Sequence, residues 1–228
     1  MLQVLVFAVG ASLPLSLGAW LGVVWTPPRP VLAVALAFAS GALISAVSFE
    51  LFEVSFRTGG ALRAGLGFAA GAVVFVVVDT LLDQKMHAGS AGFALLAGVT
   101  LDGVPENAAL GVSLVEGGSV ALLVAVFASN FPEALTGAAK MLDQGRTTRS
   151  VLMLWGGATV LLALAVVLGR LGFAGASDAE LALPLAFAGG AVLASVVDTL
   201  APEAFADGGP YVALASAAGF VTAFLLGV

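Results

Sequence analysis

Leu101-Asp102-Gly103-Val104-Pro105-Glu106-Asn107 and Ala128-Ser129-Asn130-Phe131-Pro132-Glu133-Ala134 repeat one polar-x-x-Pro-Glu phrase in two successive apolar stretches. A charged carboxylate at the centre of a hydrocarbon layer costs about 2.5–3.5 kcal/mol even on lenient insertion scales, so it is rarely there without a partner or a function. Two facing helices carrying this phrase would set oxygen ligands on both sides of one point at mid-membrane. The simplest partner for such a cluster is a cation.

The surroundings of the two phrases are membrane-like throughout. The 228-residue chain is 61% hydrophobic and 10% charged, and its mean hydropathy is +1.13. A spanning helix needs about 20 mostly apolar residues. Turn chemistry divides the chain into eight expected spans, near Gln3–Trp25, Val31–Phe56, Ala61–Leu82, Gly92–Val115, Ser119–Leu142, Ser150–Phe173, Leu181–Ala204 and Pro210–Val228. The separators are short and hold Pro, Gly or charge, as in Thr26-Pro27-Pro28-Arg29-Pro30 and Thr58-Gly59-Gly60. The expectation is a single all-α integral membrane domain over residues 1–228. Continuous Ala- and Leu-rich runs, rather than alternating ones, argue against a β-barrel. The first stretch has neither the basic region nor the cleavage site of a signal peptide, so it is expected to be retained.

Basic residues bear on orientation. With the N-terminus outside, the cytoplasmic loops hold Arg29, Lys85, Lys140, Arg146 and Arg149, against Arg57, Arg63 and Arg170 on the other face. That asymmetry predicts both termini outside the cytoplasm, in a cell (inner or plasma) membrane. The absence of cysteine removes thiolate ligands.

Phe38-Ala39-Ser40-Gly41-Ala42 in the second span matches Phe187-Ala188-Gly189-Gly190-Ala191 in the seventh. Aligning them lays spans one to three over spans six to eight, with four and five between. Three-helix units repeated this way have opposite topology, the 3+2+3 inverted-repeat plan of secondary transporters, whose substrate sites fall near the midplane. The alternative is shared composition: Phe68-Ala69-Ala70-Gly71-Ala72 carries a similar phrase, and small residues recur wherever membrane helices pack closely.

Residues four apart share a helix face, which pairs Asp102 with Glu106 and Ser129 with Glu133. Each proline lacks an N–H and displaces the carbonyl four residues back. Pro105 frees the Leu101 carbonyl and Pro132 that of Ala128. Such a group at membrane depth requires a lined polar cavity or a protein partner. Asn107 and Asn130 add amide oxygens. The candidate metal ligands are therefore Asp102, Glu106, Asn107, Ser129, Asn130 and Glu133. Glu50, Asp79 and Asp198 are candidates for the pathway, Glu50 at the external mouth, with helix pairing the alternative for Asp79 and Asp198. Glu53, Asp83 and Glu203, nearer helix ends, are expected to be solvated, as is the lone His87. The alternative for the whole set is a pair of kinked helices whose protonated acids bond across the bundle.

At these residues the chain resembles the ZIP (Zrt/Irt-like protein) family of metal-ion transporters. The resemblance implies eight helices, both termini outside, and metal ligands on helices four and five within His-x-x-Pro-Glu and His/Gln-x-x-Pro-Glu phrases. Asp198-Thr199-Leu200-Ala201-Pro202-Glu203 is similar to a third family phrase. The chain departs from the pattern at the histidines, replaced by Asp102 and Ser129. It departs again in helix six, where Trp155-Gly156-Gly157-Ala158-Thr159 lacks the family's frequent Glu-Pro. The resemblance implies divalent cation transport, the ion being substrate rather than cofactor. Zinc, manganese, iron or cadmium are the candidates; an all-oxygen set is the harder one that suits Mg²⁺, Ca²⁺ and Mn²⁺, and zinc also binds carboxylates. Alternatives are a relative repurposed for another cation or a proton-linked substrate, and a membrane protein with purely structural acids. Neither a Ser/His nor a Cys/His set is present for an enzyme. No organic cofactor or nucleic acid is expected. The partners are the lipid bilayer and the ion, and the reading admits a homodimer.

Overall fold

The computed structural model describes the backbone of residues 1–86 and 91–228, and the side chains of these except 83–86, 91–97 and 99. His87 and the side chain of Asp83 therefore lie outside the described residues. Every regular element among the described residues is helical. In chain order they are α1 (Leu2–Val24), α2 (Arg29–Ala46), α3 (Glu53–Met86), α4 (Ala91–Ser113), α5 (Val120–Asp143), α6 (Thr148–Gly172), α7 (Asp178–Ser195), α8 (Ala201–Gly208) and α9 (Val212–Gly227). Two π-helical turns, Val47–Phe52 and Val196–Leu200, join α2 to α3 and α7 to α8 without a break.

Local chemistry accounts for the ends. Pro28 and Pro30 set the start of α2, where a missing N–H costs nothing. Ser119 caps α5 by accepting the Leu122 N–H at 2.9 Å. At α7 the Glu180 carboxylate accepts from the backbone N–H and the hydroxyl of Ser177, at 2.8 and 2.7 Å. This cap starts the helix three residues earlier than the apolar pattern suggests. The expected break at Gly59-Gly60 is real: Gly60 has φ 76° and ψ 169°, open only to glycine, inside an otherwise continuous helical run. Gly209, with φ 64°, turns the chain after α8. The π turns were not legible in the sequence, where the second and seventh spans read as plain α-helix.

Five helical runs among the described residues are long and apolar enough to cross a membrane: Leu2–Val24, Arg29–Leu82, Val120–Asp143, Thr148–Gly172 and Asp178–Gly227. The run Arg29–Leu82 holds 54 residues. At 1.5 Å per residue it would reach about 80 Å if straight, against a hydrocarbon layer of about 30 Å. Gly60 is where it bends. The outer surface is apolar to match, with Leu5, Val9, Trp20, Leu66, Val73, Leu164, Leu168 and Leu214 all exposed.

Packing is organised by close backbone approach. α3 packs chiefly on α7, α2 on α9, α1 on α5 and α4 on α6. A Cβ at Gly41 would collide with the Ser216 carbonyl, and one at Gly190 with the Phe68 carbonyl. The same holds for Gly71 against Phe187 and Gly219 against Phe38. In the other pairings, Gly22 meets the Leu135 carbonyl and Gly169 the Ala108 carbonyl. Small residues let membrane helices touch backbone to backbone, where dispersion contacts replace the missing hydrophobic drive. α4 and α5 meet each other only narrowly, and the candidate site lies at that meeting point.

Candidate functional site

Glu106 of α4 is 2% exposed and Ser129 of α5 fully buried. The Ser129 Oγ lies 3.3 Å from Glu106 Oε2 and 3.1 Å from the Val126 carbonyl. One hydroxyl proton serves both acceptors, so the cross-helix bond competes with a local one. Glu133 follows Ser129 by one turn and is only partly buried. Its charge interacts with those of Glu106, Asp102 and Glu203. Asp102, one turn before Glu106, is likewise partly buried and interacts with Asp79 and Asp198. The two Pro-Glu phrases thus come together, with Glu106 as the buried member.

The asparagines diverge. Asn130 Nδ2 donates to the Ala11 carbonyl at 2.7 Å, which ties α5 to α1. Its amide nitrogen is spent on packing rather than on the site. Asn107 Nδ2 donates within α4 to the Gly103 carbonyl at 2.8 Å, and its Oδ1 is buried without a partner. A buried amide oxygen left unpaired costs about 1–3 kcal/mol, so Asn107 Oδ1 is the one candidate amide oxygen known to be left without a partner.

Among the described residues no three His, Cys, Asp or Glu side chains stand close enough to hold one ion together. Carboxylates without a counter-charge repel one another, and the charges of Asp102, Glu106 and Glu133 act on one another. A single ion among them would draw on one or two carboxylates at a time, with Ser129, Asn107 Oδ1 and water as the remaining oxygens.

The pathway candidates separate. Asp79 and Asp198, from α3 and the second π turn, both act on Asp102. Glu50 instead lines a cleft of about 220 Å³ with Phe49, Glu53, Arg57 and Phe224, beside the end of α9. Glu53 is not merely solvated but pairs with Arg57 at 2.5 Å on the surface. Glu203 differs from its expectation. Instead of being merely solvated it bonds Lys140 Nζ at 2.5 Å. No spacing along the chain marks this pair, which joins α5 to α8.

Ser195 was also missed. It is 1% exposed, and its Oγ faces Asp102 without completing a hydrogen bond. A lone serine in an apolar helix has no sequence pattern that marks it. Outside the spans, Glu116 in the turn after α4 is held above the usual carboxylate range, first by partial burial and then by the Asp178 charge. Comparison with known proteins finds no matching family model and no match among curated sequences.

Proposed function

We propose that the chain is a multi-pass membrane transporter of divalent metal cations that resembles the ZIP family. The observation that carries this reading is the Ser129–Glu106 contact between two proline-bearing helices, with Asp102 and Glu133 within interaction range. Buried acids inside apolar bundles are costly and by default functional. An oxygen set of this kind suits Mn²⁺ and related hard ions better than Zn²⁺, which nevertheless accepts carboxylates.

The architecture we infer has eight crossings in a 3+2+3 inverted repeat. Dividing the two longest runs at Gly60 and Gly209, and adding α4, supports that number. The glycine contacts support the repeat. Gly41 on Ser216 is answered by Gly190 on Phe68, and Gly71 on Phe187 by Gly219 on Phe38. Gly22 on Leu135 is answered by Gly169 on Ala108. The π turns also fall at matching places, each with one acid, Glu50 or Asp198. On this plan, with both termini outside a cell membrane, Asp102, Asp79, Asp198 and Glu133 lie toward the cytoplasmic side of Glu106. Glu50 lies at the external mouth.

Uptake into proteoliposomes across Zn²⁺, Mn²⁺, Fe²⁺, Cd²⁺ and Mg²⁺ tests the reading. Saturable uptake of at least one ion, lost in Glu106→Ala, is expected. Parental rates in both Glu106→Ala and Glu133→Ala overturn it, and proton flux without metal uptake favours the proton-linked alternative.

A further inference from the structure

Ser129, Glu133, Thr136 and Lys140 follow one another along α5 at spacings of four, three and four residues, so they share one face. The stripe begins at the contact with Glu106. It ends where Lys140 Nζ meets Glu203 Oε1 of α8 at 2.5 Å. Between them the Thr136 Oγ1 is buried and has no hydrogen-bond partner. A threonine in a helix ordinarily bonds the carbonyl one turn back, as Thr58, Thr80, Thr159 and Thr222 do here. Thr136 does not, which leaves a free oxygen midway along the stripe.

The lysine closes this row of oxygens. Its side chain is 55% exposed and that of Glu203 31%. A pair so exposed contributes little to stability on its own. Its position is what matters. Glu203 also acts on Glu133, and Lys140 follows Glu133 by two turns on α5. Seven residues of helix span about 10 Å, a separation that a lysine and a glutamate side chain bridge when they reach toward each other.

We propose that Lys140 is a tethered cation that closes the α5 outlet of the site, and that a departing ion must displace it from Glu203. The proposal rests on the cation-transport reading and adds a regulatory element to it. The ammonium carries the charge that the cargo brings, so it competes for the same oxygens. While bound to Glu203 it leaves Glu133 open to cargo. Deprived of Glu203, it turns to Glu133 and blocks the stripe.

The test uses the full chain in proteoliposomes with Mn²⁺. Glu203→Gln is expected to lower uptake roughly fivefold or more, because the released ammonium occupies Glu133. Lys140→Met added to Glu203→Gln is expected to restore parental uptake. A double variant no better than Glu203→Gln alone overturns the proposal. A second readout needs no transport. The chain has no cysteine, so Thr136→Cys introduces a unique thiol. Its modification by a cationic methanethiosulfonate reagent is expected to quicken roughly tenfold when Lys140→Met is added. Equal rates overturn the proposal. If the parent chain moves no divalent ion, the transport reading fails, while the thiol rates still decide whether Lys140 closes the stripe.

Discussion

Pro105-Glu106 in α4 and Pro132-Glu133 in α5 are the same dipeptide in two helices that meet, yet their carboxylates live in different surroundings. Glu106 is buried and contacts a serine hydroxyl. Glu133 is partly exposed, and the charged groups acting on it are all acids. The segments around them differ in the same sense. Asn107 keeps a free buried oxygen, while Asn130 is committed to α1. Beyond α4 and α5 the contrast disappears, for the flanking helices meet through glycine contacts that answer one another. Close glycine contacts thus occur in both halves of the chain, while the polar partnership of the two Pro-Glu phrases is not shared. Close backbone contact depends only on small side chains, which both halves carry. Polar function depends on individual residues, which differ.

The largest test of this contrast sets Glu106→Ala against Glu133→Ala. Removing the buried anchor is expected to reduce uptake at least about 100-fold, beyond the 10–100-fold typical of supporting partners. Glu133→Ala is expected to cost less and to fall mainly on release. Both variants should melt higher than the parent without metal, since each removes one of several mutually repelling acids. Equal losses of uptake and unchanged melting would erase the distinction.

The packing side is tested by Gly71→Leu and Gly219→Leu. Each drives a side chain into a backbone carbonyl and is expected to cost about 1–3 kcal/mol or more. Thermal unfolding in detergent should show similar losses for the two. A large difference would count against the proposed repeat.

The asparagines sharpen the comparison further. Asn130→Ala removes the cross-helix bond to the Ala11 carbonyl and is expected to cost about 0.5–1.5 kcal/mol of stability, with ion preference unchanged. Asn107→Ala is expected to weaken ion affinity and leave melting nearly unchanged. The reverse pattern, read by melting and by ion competition, would exchange their roles.

Asp102→His is expected to shift preference toward Zn²⁺ over Mn²⁺ by about tenfold, since imidazole replaces a hard carboxylate. Uptake should also become more acid-sensitive, because the imidazole must be neutral to bind and its reference pKa is about 6.5. An unchanged Mn²⁺/Zn²⁺ ratio at matched expression places Asp102 outside the ion's contact shell.

The smallest effect concerns Glu116. Its carboxyl is held up by partial burial and then by Asp178, so folding favours its protonated form. That contribution is full below the unfolded carboxyl's pKa and is lost as pH rises through the folded value. Glu116→Gln is expected to flatten this dependence and raise melting slightly near neutral pH, by a few tenths of a kcal/mol given the exposure. A steeper pH dependence would contradict it.

Much of this was legible from residue types alone. Apolar composition and length dictate helical spans, because lipid offers backbone groups no partners and only internally bonded structures survive there. Gly60 and Ser119 mark ends in any context, through conformational freedom and capping. The prolines and their glutamates mark the candidate site, because such residues are too costly to stand idle in an apolar helix.

Only the tertiary structure decided how those residues are partnered. The π turns, the Asn130–Ala11 bond, the unbonded Thr136 and Ser195 hydroxyls and the Lys140–Glu203 pair all depend on which helix lies beside which. A hydrogen bond or ion pair is made at about 3 Å, and which groups reach that distance is set by how the helices pack. Residue types and spacing determine what each helix offers; the packing determines which offers meet.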